Sequence, residues 1–181
     1  MSEREKMLAG GPYDPLDADL AAGRAAAVAT LIAFNNEPDE VRRMEILGEI
    51  LGSVGPDCEI NPTFYCDYGT HIHLGADVFV NSGCVFLDCA EIRVGDHSQF
   101  GPGAQLIAAT HPTDPALRLA DGELSAPVTV GSNCWIGAGA IVCPGVTIGD
   151  DTTIGAGSIV VRDVPSRVVA AGNPCRVIRQ L

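Results

Sequence analysis

From Val130 onward the chain repeats itself every six residues. Val130-Gly131, Ile136-Gly137, Val142-Cys143, Ile148-Gly149, Ile154-Gly155 and Val160-Val161 open successive hexads. Each opens on Ile or Val, and four of the six place Gly next. The fifth residue is always small or β-branched: Cys134, Ala140, Val146, Thr152, Ser158 and Val164. The frame also holds earlier, at Leu74-Gly75, Val80-Asn81, Phe86-Leu87, Val94-Gly95, Phe100-Gly101 and Leu106-Ile107. It slips by two residues at His73 and Arg93, and the segment from Pro112 to Pro127 breaks it. A β-sandwich would alternate with period two between turns spaced about 8–12 residues apart. A period of six instead predicts a mainly β chain wound as a prism, a parallel β-helix. Each hexad supplies one flat side and one corner, its aliphatic residue points to the axis, and three hexads close a coil of 18. One coil cannot bury its own core, so coils must stack. The pattern itself does not set the hand of the winding, and general chirality rules favour right-handed crossovers.

The N-terminal part follows another grammar. Residues 1–57 are expected to form a helical segment, and residues 58–181 the β-helix with a loop ejected at 112–127. A short helix spans about Glu3 to Ala9 and stops at Gly10-Gly11. An alanine-rich helix follows from Leu20 to Phe34, with Leu31, Ile32 and Phe34 on its apolar side. A third starts at the N-cap Asp39, carries Val41, Met44, Leu47 and Leu51 at helical spacing, and stops at Gly52.

Composition narrows the function classes. The net charge is −12, so the overall field repels nucleic acid, and any anionic ligand needs a local cationic patch. The charged start MSEREKM has no apolar run behind it, and no stretch is long and apolar enough to cross a membrane. Seven cysteines, an odd number without a Cys-x-x-Cys pair, are expected to be reduced, buried small residues in a cytoplasmic protein.

Chemistry is expected where the frame fails. His111 closes the hexad opened by Leu106, at the root of the ejected loop, and is suited to general-base work near neutral pH. Glu123 lies twelve residues on, placed to orient an imidazole or to bind a hydroxyl. Asn81 occupies a position that hexads usually give to a small residue. Asp14, Asp17 and Arg24 bring carboxylates and a guanidinium suited to sugar hydroxyls. Of eleven cationic side chains, Arg162, Arg167, Arg176 and Arg179 lie in the last twenty residues, with Asp163 the one acidic side chain there. Arginine suits phosphate, and coenzyme A carries several.

At this point the chain resembles the hexapeptide-repeat acyltransferases, in their maltose and galactoside O-acetyltransferase branch. The phrases that carry the resemblance are FYCDYG (Phe64 to Gly69), HIHLG (His71 to Gly75), VFVNSGCVFLD (Val78 to Asp88), THPTDP (Thr110 to Pro115), NCWIGAGAIVCPGVTIGD (Asn133 to Asp150), IGAGSIVVRDVP (Ile154 to Pro165) and AAGNPCRVIR (Ala170 to Arg179). The resemblance implies a left-handed β-helix and a homotrimer with active sites between subunits. It implies acetyl-CoA as cosubstrate, no metal, and a sugar acceptor. His111 matches the catalytic base, and Asn81 a residue that touches the acceptor hydroxyl and the reacting centre. Arg24 matches an acceptor-binding residue. The partner carboxylate matches Asp17 in the maltose-like branch, whereas the other branch would put it at Pro15. Phe79 stands where the galactoside branch has a tyrosine. Trp135, Ala138, Ala156, Val161, Arg162, Arg176 and Arg179 match coenzyme positions, with the Ala138 amide facing the thioester oxygen and Ala156 meeting the pantetheine arm. Val161-Arg162 replaces a common Thr-Lys, which loses a hydroxyl and keeps the charge.

The expectation is therefore direct acetyl transfer from acetyl-CoA to a sugar hydroxyl, or to another small hydroxylated acceptor, without an acetyl-cysteine. Cys134 and Cys143 fall in the repeat frame rather than beside a base. Two rival classes stand beside it: a carbonic anhydrase-like metal lyase using His71, His73 and His97, and a non-catalytic scaffold of hexad coils.

Overall fold

The computed structural model describes residues 1–120 and 122–181. Its strands form three parallel sheets, the sides of a prism, each coil giving one strand to each side. Side one stacks Ser53–Val54, Ile72–Leu74, Ile92–Val94, Val128–Val130 and Thr147–Ile148. Side two stacks Glu59–Ile60, Phe79–Val80, Gln99–Phe100, Trp135–Ile136, Thr153–Ile154 and Val168–Gly172, with Cys175–Gln180 folded back antiparallel on the last. Side three stacks Phe64–Cys66, Cys84–Leu87, Gln105–Ile107, Ile141–Val142 and Ile159–Val160. The ladder starts at Ser53, inside the segment that sequence assigns to residues 1–57.

The hexad-opening residues stand one above another in the ladders. Leu74, Val94, Val130 and Ile148 align on side one, and Val80, Phe100, Ile136 and Ile154 on side two. Phe86, Leu106, Val142 and Val160 align on side three. All are buried along the axis. Burial of such a side chain is worth about 1.5–3 kcal/mol, so the repeat is the main source of cohesion.

Coil length departs from the expected constant 18. Ser53 pairs with His73 and Ile72 with Ile92, so the first two coils take 20 residues. The third takes 36, from Ile92 to Val128. Only then does the spacing fall to 18, from Thr129 to Thr147. Every extra residue leaves at one edge of the prism, between sides three and one. Asp88 holds the first of these widened turns. Its buried carboxylate accepts the backbone N–H groups of Asp67 (3.0 Å), Tyr68 (2.8 Å) and His71 (3.2 Å). Burial pushes its carboxyl above the usual range against the pull of those amides.

The other two edges are uniform. Between sides one and two, Asp57, Asp77, His97, Asn133, Asp151 and Arg167 all take the left-handed conformation, φ 53 to 62°. Between sides two and three, coils approach so closely that a Cβ on Gly137 would lie 2.5 Å from the Ala156 nitrogen.

Helices α2 (Ala18–Asn36) and α3 (Glu40–Gly48) close the open N-terminal end, while α1 (Glu3–Leu8) packs against α2 and the ejected segment, which also carries α4 (Pro115–Ala120). Ser2 caps α1 with Glu5 in a reciprocal capping box, and Asp39 caps α3. Phe34 of α2 meets Phe64 edge-on at 6.5 Å, continuing a column through Phe86 and Phe100. Asn35 bonds both the N–H and the C=O of Phe64, satisfying the backbone at the end of side three. Two sequence expectations need correction here. Ile32 is 61% exposed and Val41 72%, because the buried stripes run through Leu20, Ala27, Leu31 and Phe34, and through Leu47. And α3 ends at Gly48, not Gly52. Gly52 already passes the backbone of the next coil, where a Cβ would meet the Thr70 carbonyl at 2.5 Å.

Candidate active site

The three widened turns stack, and a cavity of about 520 Å³ lies against them. The first turn gives Asp67, the second Leu87 and Cys89, and the third Ala109, Thr110, His111 and Glu123. Pro15, Leu16 and Arg24 close it from the N-terminal segment.

Backbone pairing fixes this arrangement. The third excursion is a hairpin in which Ala109 and Thr110 pair with Ser125 and Leu124. The N-terminal segment adds to it: Tyr13 and Glu123 exchange both backbone hydrogen bonds at 3.1 Å. The Ser125 hydroxyl donates to the Met7 carbonyl behind them. Arg24 donates from Nη1 to the Tyr68 hydroxyl at 2.7 Å and from Nη2 to the Pro15 carbonyl. Its guanidinium also sits over the Tyr68 ring, 5.8 Å from the centroid.

His111 is 56% exposed at the mouth, and its Nε2 lies 3.9 Å from Glu123 Oε1. The other carboxylate oxygen, Oε2, accepts from the Tyr13 hydroxyl at 2.8 Å. Deeper in, Asp67 Oδ2 accepts from the Cys89 thiol at 3.4 Å. Burial raises the Asp67 carboxyl above the usual range, with neighbouring Asp88 adding to the effect. The Cys89 thiol is pushed up to about 12, chiefly by burial. A thiol so weakly acidic packs and donates rather than attacks. Cys134 and Cys143 also have thiols raised by burial, and all seven cysteines are free.

Of the residues singled out from sequence, His111, Glu123 and Arg24 share this cavity. Asp17 instead caps α2, accepting the N–H groups of Asp19 (3.0 Å) and Leu20 (3.4 Å). Asp14 accepts from the Leu16 N–H at 2.9 Å, and neither aspartate lines the cavity. Asn81 stands at the edge between sides two and three, its Oδ1 accepting from the Ser82 N–H at 2.8 Å. Ala138 and Ala156 follow at that same edge in later coils, and Trp135 projects from side two, 59% exposed. One chain therefore holds Asn81 and His111 at different edges of the prism. Val161 and Arg162 are exposed at the edge between sides three and one, two coils beyond His111. Arg176 and Arg179 lie on the final strand, whereas Arg167 sits apart, 3.7 Å from Asp151.

The histidines of the metal-lyase reading go separate ways. His71 is buried with Nδ1 on the Asp88 carbonyl, His73 bridges Ser53 and Glu91, and His97 pairs with Asp77. Among the described residues, no three His, Cys, Asp or Glu side chains gather as a metal set. Nor is any described helix long and apolar enough to cross a membrane.

Sequence reasoning passed over Tyr13, Asp67, Tyr68 and Cys89. The signal for two of them was present: Asp67 and Cys89 lie just ahead of the two-residue slips at His73 and Arg93.

Comparison with known proteins gives the same picture. Residues 6–55 match the maltose acetyltransferase hexapeptide capping motif, and residues 127–162 the bacterial transferase hexapeptide repeats. Nodulation protein L of Rhizobium meliloti is 47% identical over 178 residues, covering 97% of either chain. A maltose O-acetyltransferase from Clostridium difficile superposes with a TM-score of 0.98 at 43% identity, over 100% of this chain and 98% of that one. The chain belongs to the maltose and galactoside O-acetyltransferase family of hexapeptide-repeat proteins. A further hexapeptide-repeat acetyltransferase, from Vibrio cholerae and solved with acetyl-CoA, has a TM-score of 0.93 at 35% identity, over 100% and 99% of the chains. Within this family fold, the capping match covers the end of α1 and all of α2 and α3, and the repeat match covers the regular coils. The widened turns that form the cavity lie between the two.

Proposed function

We propose that the protein transfers the acetyl group of acetyl-CoA to a hydroxyl of a sugar, maltose-, glucose- or galactoside-like, held in this cavity. The observation that carries the reading is the convergence of Arg24, Asp67 and the pair His111 and Glu123, from three separate parts of the sequence, on one cavity. Carboxylates and a guanidinium beside aliphatic Leu16 and Leu87 suit a polyol, which offers hydroxyls on its rim and C–H groups on its faces.

In this reading His111 takes the proton of the acceptor hydroxyl as its oxygen attacks the thioester carbonyl. The Glu123 carboxylate stabilises the imidazolium that forms. The tetrahedral intermediate collapses by breaking the C–S bond, and the imidazolium returns the proton to the departing coenzyme thiolate. The Ala138 amide would donate to the oxyanion, and Asn81 would hold the acceptor oxygen. Trp135, Ala156 and Val161 would line the pantetheine path, and Arg162, Arg176 and Arg179 would meet the phosphates. Asp17 is the least supported contact, since its carboxylate is engaged by two helix amides. A homotrimer completes the site by facing the Asn81 and Ala138 edge of one subunit with the His111 edge of the next. The reaction belongs in the cytoplasm, where acetyl-CoA is made and used.

The test is thiol release from acetyl-CoA across a panel of mono- and disaccharides. Saturable, sugar-dependent release by the wild type, lost in His111→Ala, is expected. Absence of release with every sugar would overturn the acceptor class.

A further inference from the structure

Glu123 has two oxygens and two different neighbours. Oε1 faces the His111 imidazole at 3.9 Å, and Oε2 accepts from the Tyr13 hydroxyl at 2.8 Å. Tyr13 is buried, 2% exposed, although it belongs to a loop between two helices. Its backbone is tied to Glu123 by two hydrogen bonds, so ring and carboxylate come from adjacent, paired positions. The Cys89 thiol lies beside the Tyr13 hydroxyl and is itself committed to Asp67. Two hydrogen bonds, Cys89 to Asp67 and Tyr13 to Glu123, thus lie side by side, and the second ends on a carboxylate whose other oxygen faces His111.

The donors of both bonds are fully assigned. The thiol proton goes to Asp67 and the phenolic proton to Glu123. Burial, then Cys89, then Glu123 hold the Tyr13 phenol far above its ordinary value, so it stays a donor at any physiological pH. A carboxylate on a hairpin would otherwise sweep several rotamers, each changing its distance to the imidazole. A fixed donor on one oxygen removes that freedom.

Resting on the acetyl-transfer reading above, we infer that Tyr13 is a positioning residue: its hydroxyl holds the Glu123 carboxylate so that the second oxygen faces His111. The N-terminal segment thereby contributes to catalysis as well as to the cavity wall. Tyr13 is buried and is not among the residues that line the cavity. It acts only through Glu123.

The experiment is a double-mutant cycle on thiol release from acetyl-CoA, with kcat and both KM values measured for wild type, Tyr13→Phe, Glu123→Ala and the double variant. Tyr13→Phe should lower kcat about tenfold with the acetyl-CoA KM unchanged, since small misplacements of a catalytic group cost that much or more. In the Glu123→Ala background the same change should cost less than about twofold, because its target is gone. An equal loss in both backgrounds, or a rise in KM alone, would overturn the assignment and leave Tyr13 a packing residue. Should Tyr13→Phe not fold, Glu123→Asp carries the test. A carboxylate still held by Tyr13 is then drawn one methylene away from His111, so kcat should fall about tenfold with the acetyl-CoA KM unchanged. Retained kcat would refute the inference. His111→Ala in the same assay tests the general-base reading separately, since Tyr13–Glu123 coupling can hold where that reading fails, and the reverse.

Discussion

The edge that carries Asn81, Ala138 and Ala156 is built of short turns that differ little from coil to coil, whereas the edge that carries Asp67, Cys89 and His111 is widened in three coils, by two residues in the first two and by eighteen in the third. At the first edge, backbone packs on backbone so closely that Gly137 has no room for a Cβ. That makes a straight edge, along which the proposed function would lay the pantetheine arm. At the second edge, surplus residues stand away from the ladder and enclose about 520 Å³. Regular turns make a track, and irregular turns make a pocket. A transferase that joins an extended donor to a compact acceptor has use for both.

Removing the irregular edge is the severest test of this contrast. Deletion of residues 113–126 should abolish acetyl transfer, because Glu123 and the hairpin that carries His111 go with it. The coils should survive, since Ile92 and Val128 can still pair. Circular dichroism and turnover measured together check this. A folded, active deletion variant would break the comparison. The same variant should also loosen α1, because Met7 and Tyr13 lose their partners on the hairpin.

A single atom group at that edge comes next. His111→Ala should slow transfer by about 10²–10⁴, the usual worth of a general base, while acetyl-CoA binding measured by calorimetry stays intact. In the proposed function the regular edge and the terminal strand answer to the other substrate. Arg176→Ala with Arg179→Ala should weaken acetyl-CoA binding by about tenfold or more, the scale of lost charge-assisted hydrogen bonds, and leave the acceptor KM nearly unchanged. Unaltered coenzyme affinity would mean that this strand is only solvated surface.

The smallest expected effect concerns stability. Asp67 is raised above 3.8 in the folded chain, chiefly by burial. The native state therefore holds more protons than the unfolded chain between 3.8 and the raised value, and stability falls as pH climbs through that window. Asp67→Asn should melt a few degrees higher than wild type at pH 7, with the gain fading toward pH 4. Thermal melts across pH decide it, and a variant less stable at pH 7 would show that the carboxylate is better satisfied than its single thiol partner implies.

The fold was legible because hexad-opening residues such as Val130, Ile136 and Val142 obey one steric rule, to fill the axis. The rule is local, so it survives in the sequence. The helix faces were less legible: Ile32 is as apolar as Leu31 but points away from the prism, and only the docking of α2 on Phe64 decides between them. The site was half legible. His111 stands at the root of a visible break and Glu123 lies within it, and Arg24 came with the family resemblance. Asp67 and Cys89 occupy turns that are only two residues longer than the regular ones, and Tyr13 reaches Glu123 by a pairing that no periodicity announces. Asn81 and His111 look like one site in sequence and occupy separate edges in space.

The clasp between Tyr13 and Glu123 also bears on the order in which the chain assembles. Most ladder contacts join residues 16 to 20 apart, whereas this clasp spans 110 and the Met7–Ser125 bond 118. Closing a short loop costs less entropy than closing a long one, so coils can zip up one on the next before the N-terminal segment finds the hairpin. The same hierarchy operates in reverse in the finished molecule. The amides of Tyr13 and Glu123 should exchange with solvent well before those of Val142 or Ile154, through an opening that leaves the stack intact. The cavity is then the last part of the protein to form and the first to let go, which under the proposed function would give an acceptor a way in and its product a way out without disturbing the scaffold.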